Sequence, residues 1–365
     1  MKLNLSELEK SVKNGIPLEK NTCDIAAKYG QIDCIIFARI HGCSWNKKTC
    51  QKAAANGQLE CLTYLHTHGC PWDKKTCIKA AKNGHLECLK YAHENKCPWN
   101  DDVCYYAAGN GHLDCLRYAL EHDCPWGYST CSSAAENNNL DCLKFAHWYG
   151  CHWDEWTCMY AAGNGNLEML TFANVNGCDW NGATCSWAAL NGHLDCLKYA
   201  RENGEFVCDW DENTCSYAAR GGHLNCLQYA RDNECPWNEK TLSEAAKNGH
   251  LDCLKYAHKN NCPCDEKAFK YAVKNKRLNC IKFLFENEYP MDKKSYEKAL
   301  VNGYLDGIEL KNELKFLPVS EKPKKEYDYE SENENYKFKD ESESESENEA
   351  ENECLSCLNN LNINN

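Results

Sequence analysis

The sequence predicts an all-α solenoid, a stack of helix pairs rather than a set of globular domains. Two observations carry that reading. Cys70 to Lys96 reads CPWDKKTCIKAAKNGHLECLKYAHENK, and 27 residues later the pattern returns as CPWNDDVCYYAAGNGHLDCLRYALEHD. Tryptophan marks the same beat at Trp45, Trp72, Trp99, Trp126, Trp153 and Trp180, then after a step of 30 at Trp210, and again at Trp237. Leu18, Cys264 and Met291 hold the tryptophan slot at the two ends. A fixed period of this length marks units that bury their apolar faces against one another, so a chain of 365 residues becomes one continuous body.

The elements follow in order. Residues 1–17 read as a capping helix, with Leu5, Leu8 and Val12 as the apolar stripe of Leu3 to Asn14. From Leu18 about eleven helix pairs follow, the last ending near Phe316, which makes 18–317 the repeat body. The unit opening at Cys70 shows why each pair forms. Asp73 is placed to cap the first helix. Trp72 and Cys77 stand at hydrophobic-staple positions around that cap. Asn83-Gly84 is a left-handed stop, and the second helix opens at His85-Leu86 with Glu87 near its positive end. Pro98 in the link prevents that helix from continuing. The alanine pair Ala80-Ala81, repeated from Ala53-Ala54 to Ala245-Ala246, lets neighbouring helices approach closely.

The pattern loosens in the last units, where Ala272-Val273 and Ala299-Leu300 replace the alanine pair and Lys276-Arg277 replaces the Gly-His turn. Gly204-Glu205-Phe206-Val207 lengthens one link by three residues and reads as a tolerated surface bulge. Residues 318–365 change composition to Glu-Ser and Asn-rich runs and are expected to be a disordered acidic tail. Ser342, Ser344 and Ser346 there lie among glutamates, a setting that suits acid-preferring kinases.

The net charge is −13, of which residues 321–365 contribute −9 (14 acidic, 5 basic), leaving −4 for the rest. So balanced a body offers no basic stripe for phosphates, and nucleic acid is not an expected partner. No apolar run reaches the ~20 residues that span a bilayer, and the start lacks a signal-peptide core. The 29 cysteines follow the repeat, in a long chain without a secretory signal. They read as free, buried thiols of an intracellular, reducing compartment, not as a disulfide framework.

Residues 83–91, Asn-Gly-His-Leu-Glu-Cys-Leu-Lys-Tyr, preceded by Thr76 and the alanine pair, resemble the ankyrin repeat. The likeness covers about 1–317. Two features depart from the family: cysteine follows the threonine where Pro-Leu-His is usual, and the period is 27 against 33. The shortfall falls where ankyrin proteins carry their β-hairpin finger, so the finger is expected to be reduced or absent. The short Cys/Trp-rich form resembles divergent ankyrin-repeat proteins abundant in giant DNA viruses of amoebae. That resemblance implies a non-catalytic scaffold for host or viral proteins, residing in the host cytoplasm, and a monomer.

No catalytic, cofactor or metal site rises above the repeat. The cysteine spacings of 7, 11 and 9 are not zinc-knuckle spacings, and equivalent thiols on successive units stand ~8–10 Å apart, too far for shared ligation or direct disulfides. The turn histidines His85, His112, His193, His223 and His250 exchange with Gln58, Asn139 and Asn166, which suits a bridge across a turn and not a proton donor. The candidate functional residues lie elsewhere. On the first helix, Lys79 points away from Cys77, Ala80 and Ala81. Its equivalents include Tyr106, Tyr160, Trp187, Tyr217 and Tyr271, and Trp156 holds the position of Lys75. These rings form an aromatic stripe along the first helices, the composition of a protein-binding face. A structural virion component and a thiol-rich metal or redox protein are the alternatives; a ubiquitin-ligase adaptor finds no room for an F-box-like segment.

Overall fold

In the computed structural model, residues 2–202 and 208–306 are described. The chain divides into two units, Met1–Leu317 and Pro318–Asn365, and every described residue lies in the first. The bulge at 203–207, the second helix of the eleventh pair and the acidic tail all lie outside the described residues.

The described residues form 22 helices and no strand. Leu5–Lys13 caps the stack, ten complete pairs follow, and Lys293–Val301 opens an eleventh. The first helices are Thr22–Lys28, Lys47–Ala55, Lys74–Lys82, Asp102–Gly109, Tyr128–Glu136, Glu155–Gly163, Gly182–Leu190, Glu212–Gly221, Glu239–Asn248, Lys267–Lys274 and Lys293–Val301. Links such as that between Leu86–Glu94 and Asp102–Gly109 are too short for a finger, and among the described residues none forms a hairpin.

The third repeat shows how its letters build it. The Asp73 carboxylate accepts from the Lys75 N–H at 3.1 Å and caps Lys74–Lys82. At the other end Gly84 takes a φ of 74°, while the N–H of His85 reaches the Ala80 carbonyl at 2.9 Å and that of Gly84 reaches Ala81 at 3.2 Å. This is a Schellman closure, which satisfies carbonyls the helix end would leave open. The second helix, Leu86–Glu94, starts at once. It ends with the same closure around Lys96, which holds φ 66° where Gly69 and Gly150 stand in other repeats.

The core is a column of small and medium side chains. The alanine pairs from Ala26-Ala27 to Ala245-Ala246 are fully buried, as are Leu62, Leu89, Leu116, Leu143, Leu170 and Leu197 on the second helices. Successive first helices pack more closely than successive second helices. An Ala161→Leu substitution would press into the next first helix, and a loss of about 1–3 kcal/mol is expected, measured as a lower urea midpoint.

The tryptophans act beyond the one unit that the staple reading considers. Trp72 is wedged between second helices: it stacks on His66 of the preceding repeat at 3.9 Å and 12° and meets Tyr91 of its own repeat edge-on at 6.2 Å. The His66 ring also hydrogen-bonds the Tyr91 hydroxyl at 3.0 Å. His93, Trp99 and Tyr118 repeat this triad. Arginine replaces histidine under Trp45, Trp210 and Trp237, at 4.2–4.5 Å from ring centres, a cation–π contact. Leu120 holds the histidine slot before Trp126, and that indole is the exposed one of the ladder.

Burial holds His93 and His147 below the ordinary histidine range. In the unfolded chain they return to about 6.5, so as acid passes through that range the unfolded state takes up more protons and gains on the folded one. The unfolding midpoint is expected to drop between about pH 7.5 and 5.5, and to drop less in a His93→Gln/His147→Gln chain.

Candidate functional site

Each first helix keeps out of the core the position four residues before Gly84-type turns begin, here Lys79, and the position one turn earlier, Lys75. The helix geometry fixes this: Thr76, Cys77, Ala80 and Ala81 are consumed by packing and are buried, which leaves those two positions outward. The aromatic residues named from the sequence all occupy them.

The structure brings three of these rings together. Trp156 and Tyr160, one turn apart on Glu155–Gly163, have ring centroids 6.5 Å apart, and Tyr160 meets Trp187 of the next helix edge-to-face at 6.3 Å and 81°. That geometry is favourable between aromatic quadrupoles. Trp156 is 38% exposed, while Tyr160 and Trp187 are half-buried. Burial, followed by the neighbouring Glu136 carboxylate, pushes the Tyr160 hydroxyl up to about 12, so it is a neutral hydrogen-bond donor at any physiological pH. Tyr217 is half-buried on the following helix, Glu212–Gly221.

Tyr106 and Tyr271 stand apart from this group. Ser133 occupies the stripe between Tyr106 and Tyr160, and Glu244, paired with Lys247 at 3.5 Å, stands between Tyr217 and Tyr271. Each outlying tyrosine is roofed by a lysine of the preceding repeat, Lys82 at 4.8 Å over Tyr106 and Lys247 at 5.7 Å over Tyr271.

The helical wheel of a single unit makes the stripe more exposed than it is. In the stack, the residue three places after a stripe position lies over the stripe residue of the next repeat. Lys82 covers Tyr106 in this way, and Gly163 underlies Trp187. A Cβ on Gly163 would stand 3.2 Å from the Trp187 ring, so a larger residue there needs the ring to give by a few tenths of an ångström.

The turn histidines bridge repeats. The His85 Nε2 lies 3.1 Å from the Ala55 carbonyl and the His112 Nε2 3.0 Å from that of Lys82, each reaching back to the C-terminus of the previous first helix. Asn139 donates to Ala108 and Gly109 from the same position, and Arg277 to Lys247.

The cysteines divide into three columns. Link thiols donate to the carbonyl of the residue that caps the previous first helix, as Cys97 does to Asp73 at 3.3 Å and Cys178 to Asp154 at 3.2 Å. First-helix thiols lie against the link thiol that follows them. The hydrogen bond to Cys97, then burial, drives the Cys77 thiol far above its ordinary range. Second-helix thiols such as Cys88 are raised to about 11, chiefly by burial. Such thiols are poor nucleophiles.

One pair departs from the expectation of free thiols. Cys185 and Cys208 are joined as a disulfide with Cα atoms 6.7 Å apart, while the other described cysteines are free. The spacing argument compared equivalent cysteines of successive units and so passed over this contact, between a first helix and the link that follows it. Among the described residues no group of three or more His, Cys, Asp or Glu is placed to hold a metal ion, and no helix is long and apolar enough to cross a membrane.

Comparison with curated proteins gives no match. Among solved structures, the crystal structure of the human ASB11 ankyrin repeat domain is similar at 16% identity and a TM-score of 0.38, over 43% of this chain and 84% of that one. One family model, described as ankyrin repeats (3 copies), matches residues 77–155 and 216–297, and a second, described as ankyrin repeats (many copies), matches 185–231. Together the matches take in more than half of the chain, and its repeats are ankyrin repeats.

Proposed function

We propose that the protein is a non-catalytic scaffold for protein–protein interaction, and that the outward side of its first helices is the binding face, centred on Trp156, Tyr160, Trp187 and Tyr217. The observation that supports this most is the continuous run Trp156–Tyr160–Trp187, aromatic rings in mutual contact across two repeats with Trp156 reaching solvent. Rings of this kind, held in place by their neighbours, lose little freedom on binding and dominate interface energetics. Tyr106 and Tyr271 extend the face in either direction. Burial of the cysteine columns, with first- and second-helix thiols such as Cys77 and Cys88 raised above the ordinary range, speaks against a metal-storage role, while hydrogen bonds with Cys50 and Cys131 lower the link thiols Cys70 and Cys151.

The setting we propose is that of a viral protein acting as a monomer on host or viral proteins inside the host cell, by its likeness to the short Cys/Trp-rich ankyrin proteins of giant DNA viruses. The test is affinity capture from a host-cell lysate with the parent chain and a Trp156→Ala/Trp187→Ala chain. A partner held by the first and lost by the second supports the reading; the same partners on both would remove it.

A further inference from the structure

The position that lies over the stripe residue of the next repeat changes its charge along the stack. Lys82 stands over Tyr106 at 4.8 Å and Lys247 over Tyr271 at 5.7 Å, so these two rings take an ammonium from their own chain, a cation–π contact. Before Tyr160 the same position is Glu136. Asn164, which ends the helix of Tyr160, donates to the Glu136 backbone carbonyl at 2.9 Å and holds the two helices in that register. The four first helices from Asp102–Gly109 to Gly182–Leu190 contain no lysine or arginine. Burial alone raises the Glu136 carboxyl above the ordinary carboxylate range, as it does for an acid drawn partly out of water with no neighbouring cation to offset the cost. The field of this acid reaches the ring: after burial, Glu136 is the first of the groups that raise the Tyr160 hydroxyl, ahead of Tyr105 and Asp154. Trp156 and Trp187 flank Tyr160 at 6.5 and 6.3 Å. Where the stripe is richest in rings, a carboxylate thus replaces the lysine.

We propose that this place takes a lysine side chain of the partner protein, its ammonium on the Tyr160 ring and against the Glu136 carboxylate, its methylene stem along the neighbouring tryptophans. The inference rests on the aromatic binding face proposed above and names what that face selects. Charge complementarity chooses the occupant. An apolar side chain would bury Glu136 further without answering its charge, which is costly, and an acidic one would be repelled by Glu136 and by Glu155 beside Trp156. The chain itself shows that ammonium and ring fit one another on this stripe, because Lys82 and Lys247 reach their rings from the position that Glu136 holds. A lysine stem packs on apolar surface while its head keeps a polar partner, and the rings and the carboxylate supply one of each.

The probe is a fluorescent peptide with one lysine flanked by leucine and serine, titrated into the full-length chain and followed by anisotropy. The same peptide with norleucine in place of lysine is its control. The lysine peptide is expected to bind at least about tenfold more tightly than the control. Glu136→Gln, at an unchanged unfolding midpoint, is expected to remove most of that preference. Glu136→Lys sets an ammonium where Lys82 and Lys247 have theirs, and is expected to abolish binding of the lysine peptide while the chain stays folded. A preference kept in full by both variants would overturn the proposal. Equal binding of the two peptides, lost in Trp156→Ala, would leave the aromatic face standing and overturn the lysine. A lysine preference that neither the Glu136 variants nor Trp156→Ala/Trp187→Ala changes would place the peptide elsewhere and overturn both readings. Binding of neither peptide would overturn the lysine, with capture of a lysate partner then deciding the face alone. Self-association of the parent chain that the lysine peptide reverses would assign the site to a second copy and overturn the partner proposed.

Discussion

Alanine at Trp156 together with alanine at Trp187 is expected to abolish capture of the partner while the repeat body stays folded. A ring at the centre of an interface is worth about 2 kcal/mol or more, so each substitution should weaken binding by about 30-fold or more. The two do not load the fold equally. Trp156 is 38% exposed, and its removal is expected to change stability by no more than about 0.5 kcal/mol. Trp187 is half-buried and lies on Gly163, so its loss is expected to cost roughly 1–2 kcal/mol of folding free energy as well. Trp156→Ala is therefore the decisive variant. Lost capture with an unchanged urea midpoint assigns the ring to binding. A midpoint that falls by as much as that of Trp187→Ala assigns it to packing.

Sequence reasoning reached the parts of this structure that obey local rules. Asp73 caps, Asn83-Gly84 stops, His85-Leu86 restarts and Pro98 keeps the link open, because each depends on residues within one turn of itself. The alanine pairs were legible for the same reason: only a small side chain repeated at one helical position suits so close a stack. What escaped depends on one repeat leaning on the next. The tryptophan ladder was placed within a unit, whereas Trp72 lies between His66 and Tyr91 of two second helices, a contact 19 residues long that no helical wheel contains. The Cys185–Cys208 contact was missed because equivalent thiols were compared with each other. For the candidate site, the wheel placed the rings opposite the buried alanine and cysteine positions of the helix. It could not show that Lys82 covers Tyr106 or that Gly163 lies beneath Trp187, and those neighbours decide how much of each ring a partner can touch.

The Gly84 turn offers the sharpest test of how the repeats are joined, since two penalties of different origin meet there. Its φ of 74° is one that a side chain resists, at about 1–2 kcal/mol. Independently, a Cβ at Gly84 would stand 2.6 Å from the His112 Nδ1, the ring of the next repeat whose Nε2 hydrogen-bonds the Lys82 carbonyl. Gly84→Ala is therefore expected to cost about 2–4 kcal/mol, the backbone strain plus a displaced histidine and its broken bond. In a His112→Ala chain the second penalty has already been incurred, and the same substitution is expected to cost only about 1–2 kcal/mol. The double-mutant cycle should thus show a coupling of about 1 kcal/mol or more, with the pair less damaging than the sum of its members. Because each repeat is stabilised only by its neighbours, the weakened joint lies between the third and fourth repeats. Hydrogen exchange should then quicken first in Lys74–Lys82 and Asp102–Gly109, with the far repeats protected as before. Additive effects would mean that His112 moves aside without loss. The glycine would then be held by its backbone angle alone, and the histidine bridges would contribute little to the joint between repeats.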